Sequence, residues 1–278
     1  LTQRTVVEFV MEDFCRECTA LYLELAEGKV LKKVQTPFCP DGSLVAADDD
    51  SRGQLSGHGA KLLMKALWLA RISRPDIQKA IGDLSTHVNC WSINDDKRAH
   101  RLFCYINSTT HYRMRGYIGD YMCDLYLILF VDADFAGGVD DARSTSGGLL
   151  VLAGPNSWFP LGWVCKRQSA TARSTTESEC VSLAYSLFGE GLPMMDLFDL
   201  ILDRSIKLVI KEDNQATILI VKKGFPARLR HILRTHKVNL GSIADVLSDD
   251  NVEIEYVESP KQAADIFTKA LQPHAWPN

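Results

Sequence analysis

Two strand-like runs in this sequence, the first of them almost wholly apolar, each end in an aspartate. LYLILFVD ends at Asp132, and IKLVIKED ends at Asp213. A carboxylate beside buried apolar surface is costly unless it is paired or holds a metal. The fold must therefore supply a partner for the charge at both strand ends.

Two further acids fit the same arrangement. Glu179 lies one turn into a helix that opens STTESEC, and Asp265 lies in a late helix, SPKQAADIFTKAL. Four carboxylates aimed at one point offer the oxygen ligands that magnesium prefers. The four acids, Asp132, Glu179, Asp213 and Asp265, therefore favour metal-assisted hydrolysis.

Composition is that of an ordinary soluble globular protein. The 278 residues, 46% hydrophobic and 24% charged, suffice for two modest domains. No apolar run reaches the roughly 18 residues of a membrane span, and no signal peptide is evident. A start without Met indicates a piece of a longer protein.

The cysteines are scattered along the chain. Only Cys15 and Cys18 have metal-ligand spacing, and no second pair follows them. We interpret them as plain thiols, which indicates a reducing, intracellular setting. A cytoplasmic particle and the nucleus fit this setting equally well.

A basic stretch interrupts an otherwise acidic C-terminal region. Residues 222–237, KKGFPARLRHILRTHK, carry six Lys or Arg and two His but no acid, although the whole chain has a net charge of −4. Such a stripe can neutralise phosphates. The alternative is a solvated loop and helix face.

The sequence divides into two regions. Residues 1–120 are predicted to be mainly helical, with helices in 5–26, 60–72, 77–88 and 96–108 and a polar linker at 36–54. Residues 121–278 are predicted to contain five strands, at 125–132, 149–154, 158–166, 206–213 and 251–258. The first three form an antiparallel meander, and helices separate the others.

Three predictions concern the helices of the second region. Ser174 and Glu177 have capping-box spacing, so Glu177 has a local role and Glu179 is left for chemistry. One long helix is expected across the basic stretch and on through LGSIADVL. The last helix is predicted to begin with Ser259 as N-cap and Pro260 in its first turn.

The element order and the acids resemble the ribonuclease H fold. Five phrases, VDADFAG, DDARSTSGG, SWFPLGWVCKRQSATARSTTESE, KEDNQATI and QAADIFTKAL, resemble a copia-type retrotransposon polyprotein. LTQRTV, VQTPFCPDG and LARISRPDIQKAIGDLS resemble its thumb and connection segment. The resemblance implies an α/β, ribonuclease H-like five-stranded mixed sheet flanked by helices at 121–278, after a mainly helical segment at 1–120.

By this resemblance, the four acids match the family's catalytic acids and hold two Mg²⁺ ions, with Mn²⁺ as a possible substitute. Asp132 is expected to bridge both ions. Glu179 and Asp213 are expected to hold the ion on the leaving-group side. Asp265 is expected to hold the ion that carries the attacking water.

Two neighbouring acids are rivals for these roles. Asp134 follows Asp132 by two residues, and Glu212 precedes Asp213, but the family pattern favours the other acid of each pair. We interpret both rivals, and Glu177, as ordinary surface carboxylates. The chain departs from the family at Phe135 (usually Trp), at Cys180 (usually aromatic) and in the spacing of its two histidines.

The resemblance also implies a substrate and a partner. The substrate is an RNA–DNA hybrid whose RNA strand is cut, and the partner is the rest of the polyprotein, with polymerase fingers and palm; no membrane is expected. No polymerase signature is present, so no polymerase activity is expected. Predicted nucleic-acid contacts are Arg143, Ser144, Thr145, Ser146, Lys166, Arg167, Arg173, Asn214, Gln215, Lys222, Lys223, Arg228, Arg230 and Arg234, with His231 and His236 as auxiliary groups.

Two other functions stay open for such a chain. One is a catalytically decayed, nucleic-acid-binding remnant of a retrotransposon, against which the presence of all four acids argues. The other is an integrase-like strand transferase on the same fold. In that class the glutamate comes last, whereas Glu179 comes second here.

Overall fold

A computed structural model describes residues 4–137, 141–224 and 229–273. The chain folds into two compact units. The sheet unit comprises Leu1–Val7 and Arg115–Thr268, and the helical unit comprises Glu8–Met114 and Lys269–Asn278. Each unit is therefore made of two separate stretches of the chain.

The described residues form a seven-stranded mixed sheet in the order β1-β2-β5-β4-β3-β6-β7. Its strands are β1 (Thr5–Phe9), β2 (Met114–Ile118), β3 (Tyr126–Asp134), β4 (Thr145–Gly154), β5 (Ser157–Arg167), β6 (Leu208–Glu212) and β7 (Val252–Tyr256).

Strands β3, β4 and β5 form an antiparallel meander, β6 runs parallel to β3, and β7 runs parallel to β6. This order, with helices joining β5 to β6 and β6 to β7, confirms the mixed α/β sheet expected for a ribonuclease H-like fold. Strands β1 and β2 extend that sheet beyond the five predicted strands.

The helices of the described part number ten. They are α1 (Glu12–Leu25), α2 (Gly59–Ile72), α3 (Gln78–Ser85), α4 (Ile93–Ser108), α5 (Thr175–Ser186), α6 (Leu192–Leu202), α7 (Gln215–Lys223), α8 (Ile232–Thr235), α9 (Leu240–Val246) and α10 (Asp265–Thr268). A π-helical turn, Leu187–Gly191, joins α5 to α6.

Four sequence predictions of secondary structure are wrong in part. Residues 5–9 are strand β1 rather than helix, because three consecutive β-branched residues favour extended backbone. Strand β4 begins at Thr145, inside a segment predicted to be a turn. Pairing with β3 and β5 over its whole length overrides the turn propensity of Ser and Gly there.

The other two corrections concern long helices. The helix expected across the basic stretch is split into the short helices α8 and α9. Asn239 separates them and caps α9, since its side-chain oxygen accepts a hydrogen bond from the N–H of Gly241, 3.0 Å away. The last helix is split into a 3-10 turn, Ser259–Lys261, and α10, and the N-cap of that turn is Glu258 rather than Ser259.

Strand β3 separates two apolar clusters. Leu127, Leu129 and Val131 pack in a core with the buried face of α5, which includes Leu183. Ile128 and Phe130 point to the opposite face of the sheet. Asp132 continues this second row, so it leaves the core at the end of the strand.

The helical unit is built around helices α1 to α4. Its most buried cation is Arg74, which pairs with Asp76 and donates to the main-chain oxygen of Thr109 at 3.0 Å. Cys15 and Cys18 are buried free thiols of α1. Within the described ranges, no helix combines the length and apolar character needed to cross a membrane.

Candidate metal centre

Asp132 lies near the carboxyl end of β3, opposite Gly147 of β4. Its side chain is buried and accepts a hydrogen bond from the hydroxyl of Thr268. A β-carbon on Gly147 would lie 2.5 Å from Cγ2 of Thr268. Glycine is thus required here, because it lets α10 approach the carboxylate.

Glu179 reaches the same strand end from α5. The helix begins after Ser174, whose hydroxyl accepts a hydrogen bond from the N–H of Glu177 at 3.2 Å. Three residues beyond Glu179, the Ser182 hydroxyl donates to the main-chain oxygen of Asp132 at 2.7 Å. Because residues three apart lie on one face of a helix, this bond directs the buried Glu179 to the same strand end.

Asp213 follows directly after β6. Since β6 is parallel to β3 and pairs Glu212 with Val131, the carboxyl ends of the two strands meet at one edge of the sheet. The Ser259 hydroxyl donates to Oδ2 of Asp213 at 2.8 Å. The residues after β7 thereby orient this half-buried carboxylate.

Three of the four predicted acids meet at this edge. One carboxylate oxygen from each of Asp132, Glu179 and Asp213 lies within 4.8 Å of the other two. Three oxygen donors from three separate elements fit a hard divalent cation. Such a cation would also balance carboxylates that are costly to keep together in a poorly solvated place.

Asp265 does not belong to this group of three. It begins α10 and is half-buried. The surrounding segment is nevertheless fixed to the site, since the side-chain amide of Gln262 donates to the main-chain oxygen of Val131 at 2.8 Å. Its role as a fourth metal ligand stays a prediction.

Glu212 is completely buried beside the three acids. Burial raises its pKa well above the ordinary value, and the nearby Asp213 and Asp132 raise it further. Its Oε1 accepts a hydrogen bond from the N–H of Asn214 at 3.0 Å. The interpretation of Glu212 as an ordinary surface carboxylate is therefore wrong.

Glu177 is also buried, with 1% of its surface exposed. Its carboxylate contacts Nε2 of His231 at 3.0 Å and Nε2 of His236 at 3.1 Å, and it accepts from the N–H of Arg173 at 3.1 Å. Burial alone would raise its pKa, but these hydrogen bonds, led by that of His231, lower it. The interpretation of Glu177 as a surface carboxylate is wrong, and its role extends beyond capping α5.

Three predicted nucleic-acid contacts, Ser144, Thr145 and Ser146, are buried in the sheet unit. The hydroxyl of Ser144 accepts from the N–H of Ala136 at 3.2 Å, and that of Ser146 accepts from Gln168 at 3.1 Å. A direct contact of these side chains with a duplex stays a prediction.

The predicted cations lie mostly on the surface. Arg143 and Arg167 both pair with Asp141. Lys166 donates to the hydroxyl of Tyr185 at 3.1 Å and lies 4.2 Å from the centre of its ring. Lys222, Lys223, Arg173, Arg230 and Arg234 are exposed, and Arg228 lies outside the described residues.

The two predicted amide contacts lie beside Asp213. Asn214 caps α7 by accepting from the N–H of Thr217 at 3.1 Å. Gln215 is exposed in the first turn of α7. Asn214 therefore has a structural role, and Gln215 is free to reach a ligand at the carboxyl end of β6.

The chain is similar to proteins of mobile elements. It is 27% identical over 259 residues, 89% of the chain, to the retrovirus-related Pol polyprotein from transposon RE1 of Arabidopsis thaliana. The Pol polyproteins of the copia-type transposons RE2 of Arabidopsis thaliana and TNT 1-94 of Nicotiana tabacum are also homologues of the chain, at 27% identity. The chain spans 16% of the length of the RE1 polyprotein.

Two further similarities cover parts of the chain. A secreted RxLR effector protein, number 161, of Plasmopara viticola is 32% identical over 118 residues, which are 42% of the chain and 78% of the effector. A solved ribonuclease H1 isolated from compost is 15% identical, with a TM-score of 0.37, over 51% of the chain and 92% of that structure. No protein-family model matches the chain.

Several residues of the site carry no signal that sequence reasoning could use. Thr268, Ser259 and Ser182 bind the acids or their backbone, but hydroxyl residues are common throughout the chain. In the sequence, Glu212 is marked only as the neighbour of Asp213, and Glu177 only as a helix-capping residue. Their burial depends on contacts with residues far away in the sequence.

Proposed function

We propose that the sheet unit is a metal-dependent ribonuclease that cuts the RNA strand of RNA–DNA hybrids. The observation that carries the proposal is the convergence of Asp132, Glu179 and Asp213 within 4.8 Å at one edge of the sheet. The similarity of the chain to retrotransposon Pol polyproteins supports a hybrid as substrate, because reverse transcription produces one.

The three acids would hold the metal. Divalent cations bound there would activate a water molecule and neutralise charge on the leaving oxygen. Asp132 and Asp213 lie at the ends of neighbouring parallel strands, and Glu179 approaches from a helix, so the ligands come from different directions. Asp265 is proposed as the ligand of a second ion.

The protein's other groups at the site position these ligands. The hydroxyls of Thr268 and Ser259 each hold one oxygen, of Asp132 and Asp213 respectively, and so fix the orientation of these carboxylates. A carboxylate fixed in this way loses less rotational freedom when it binds a cation. The exposed cations around α5 and α7 would bind the phosphates of the hybrid.

The test is hydrolysis of a hybrid with a labelled RNA strand by the 278-residue chain in Mg²⁺ or Mn²⁺. We expect Asp132→Asn to reduce the rate by about a thousandfold, since a catalytic metal contributes several kcal/mol to the barrier. Asp203→Asn is the matched control, because Asp203 is exposed and its left-handed backbone, with φ of 51°, suits Asn.

The outcomes separate the candidate functions. Cleavage that persists in Asp132→Asn would contradict the catalytic assignment. A wild-type chain that binds the hybrid in a gel shift but cuts nothing in either metal would be a decayed remnant. Joining of DNA ends into target DNA would instead identify a strand transferase.

A further inference from the structure

The Glu177 carboxylate connects two parts of the sheet unit that are far apart in the sequence. It lies in the first turn of α5 and contacts His231 and His236, which are 54 and 59 residues away. A helix-capping acid needs no such partners, since a cap is satisfied by the first turn of its own helix. The two histidines thus give Glu177 a long-range structural link.

The link holds a short stretch of chain, residues 229–237, which we call the basic segment. Ile232 is buried in the core, and Leu229 packs against that core. His236 has only 1% of its side chain exposed, and His231 has 26%. The segment is therefore fixed by apolar packing on one side and by Glu177 on the other.

The solvent-exposed side of the basic segment is cationic. Arg230, Arg234 and Lys237 are exposed, and within the described part of the chain none of them forms an ion pair. Unpaired cations held in a fixed arrangement are suited to binding phosphates, which carry most of the affinity for nucleic acids. Arg173, whose N–H contacts Glu177, adds a fourth exposed cation beside them.

The same carboxylate lies two residues before Glu179. Through α5, the position of the basic segment is therefore tied to the position of a metal-binding carboxylate. We infer that Glu177 is a positioning residue that, through His231 and His236, sets where the phosphates of the hybrid bind relative to the metal centre. This inference rests on the proposed function.

Such a role predicts an effect on binding more than on the chemical step. Phosphate contacts fix the register of a protein on a duplex. If the segment is released, its cations bind phosphates less effectively, but the metal ligands stay in place. We expect Glu177→Ala to raise KM about tenfold while kcat changes by less than about threefold, the pattern of lost uniform binding.

The salt dependence gives a second measure. The slope of log Kd against log salt concentration reports the number of neutralised phosphates. With three cations released, we expect the slope to fall by about two to three in Glu177→Ala. Glu177→Gln keeps an acceptor oxygen of the same reach, so we expect it to recover part of both effects.

A double-mutant cycle separates positioning from a general loss of structure. The reference is a triple variant, Arg230→Gln, Arg234→Gln and Lys237→Gln, in the 278-residue chain. In that background Glu177→Ala should change neither Kd nor the salt slope, because the cations that it positions are absent. Equal effects of Glu177→Ala in both backgrounds would overturn the inference.

Binding of the hybrid is measured by gel shift without metal, so the result does not depend on cleavage. If the wild-type chain binds the hybrid but does not cut it, the proposed function is refuted. The double-mutant cycle would still test the positioning role of Glu177, because it measures binding. A wild-type chain that neither binds nor cuts would refute both.

Two further variants complete the experiment. If Glu177→Ala fails to fold, the half-exposed His231 is replaced instead, and His231→Ala must show the same coupling to the cations. Glu17→Gln is the matched control, since it removes an ion pair with Lys65 in the helical unit. A change in salt slope in this control would argue against a specific role of Glu177.

Discussion

Replacing Glu212 with glutamine should change how the stability of the protein depends on pH. Glu212 is completely buried, its Oε1 accepts one main-chain hydrogen bond, and its Oε2 has no hydrogen-bond partner among the described residues. Burial, and then the nearby Asp213 and Asp132, raise its pKa in the folded state. Glutamine has nearly the same shape but cannot ionise.

The sign of the effect follows from the raised pKa. The folded state binds the Glu212 proton more tightly than the unfolded chain, where the pKa of Glu is about 4.3. The contribution of Glu212 to stability is therefore fully present below about pH 4.3 and is lost as the pH rises through the folded pKa. Glu212→Gln lacks this loss, so its stability relative to wild type should increase with pH.

The magnitude depends on how far the pKa of folded Glu212 lies above that of the unfolded chain. Between these two pKa values, each rise of about one pH unit lowers the stability of the wild type by about 1.4 kcal/mol relative to the variant. For a urea m-value of about 2 kcal/mol/M, this moves the unfolding midpoint by about 0.7 M. The unpaired amide group of the glutamine also destabilises the variant by about 1–3 kcal/mol, and this cost is the same at every pH.

The assay is urea unfolding of both proteins at several pH values between about 4 and 9, a range that brackets the unfolded pKa of Glu. A chelator is present to remove divalent cations, and the measured quantity is the difference in the free energy of unfolding between variant and wild type at each pH. Glu253→Gln, whose carboxylate is exposed, is measured in parallel. A difference that stays constant over this range would refute the reasoning.

Three further changes test the core, the helical unit and the metal centre. Leu183→Ala should lower the free energy of unfolding by about 2–5 kcal/mol, because it leaves a cavity in the fully buried core of the sheet unit; chemical denaturation measures this. Although burial acts against ionisation, hydrogen bonds led by that of His87 hold the pKa of Asp95 below its ordinary value. The stabilising contribution of Asp95 is thus present above about pH 3.9 and is lost as the pH falls through its folded pKa. Asp95→Asn should therefore destabilise the protein most at neutral pH and least in acid, which thermal melts at several pH values measure. Asp213→Asn should weaken Mg²⁺ binding by about 10-fold or more in isothermal titration calorimetry, and unchanged affinity would exclude Asp213 as a ligand.

The parts of the fold that depend on local pattern could be predicted from the sequence. The apolar run of β3 and the cap at Ser174 give direct local signals, and the structure has a strand and a helix there. The two parallel strand ends bring Asp132 and Asp213 together, as the position of each acid at the end of its run indicated.

The errors occur where distant contacts decide the outcome. Thr145 and its neighbours have turn-forming composition but become a strand, because they pair with strands on both sides. Glu177 has a capping position in the sequence, yet its burial depends on His231 and His236, and no local pattern connects them. Glu212 is buried at the end of β6, where it pairs with Val131 of β3 on one side and Tyr256 of β7 on the other.

The two strands that extend the sheet matter for any attempt to isolate the sheet unit. Strand β5 pairs with β4 on one side and with β2 on the other. A protein expressed from residue 121 onward would lack β1 and β2, and the outer edge of the 11-residue β5 would lose its partner. An unpaired edge of this length is a template for association with other chains. We therefore expect a fragment of the sheet unit to stay soluble only if it retains the strands before residue 121.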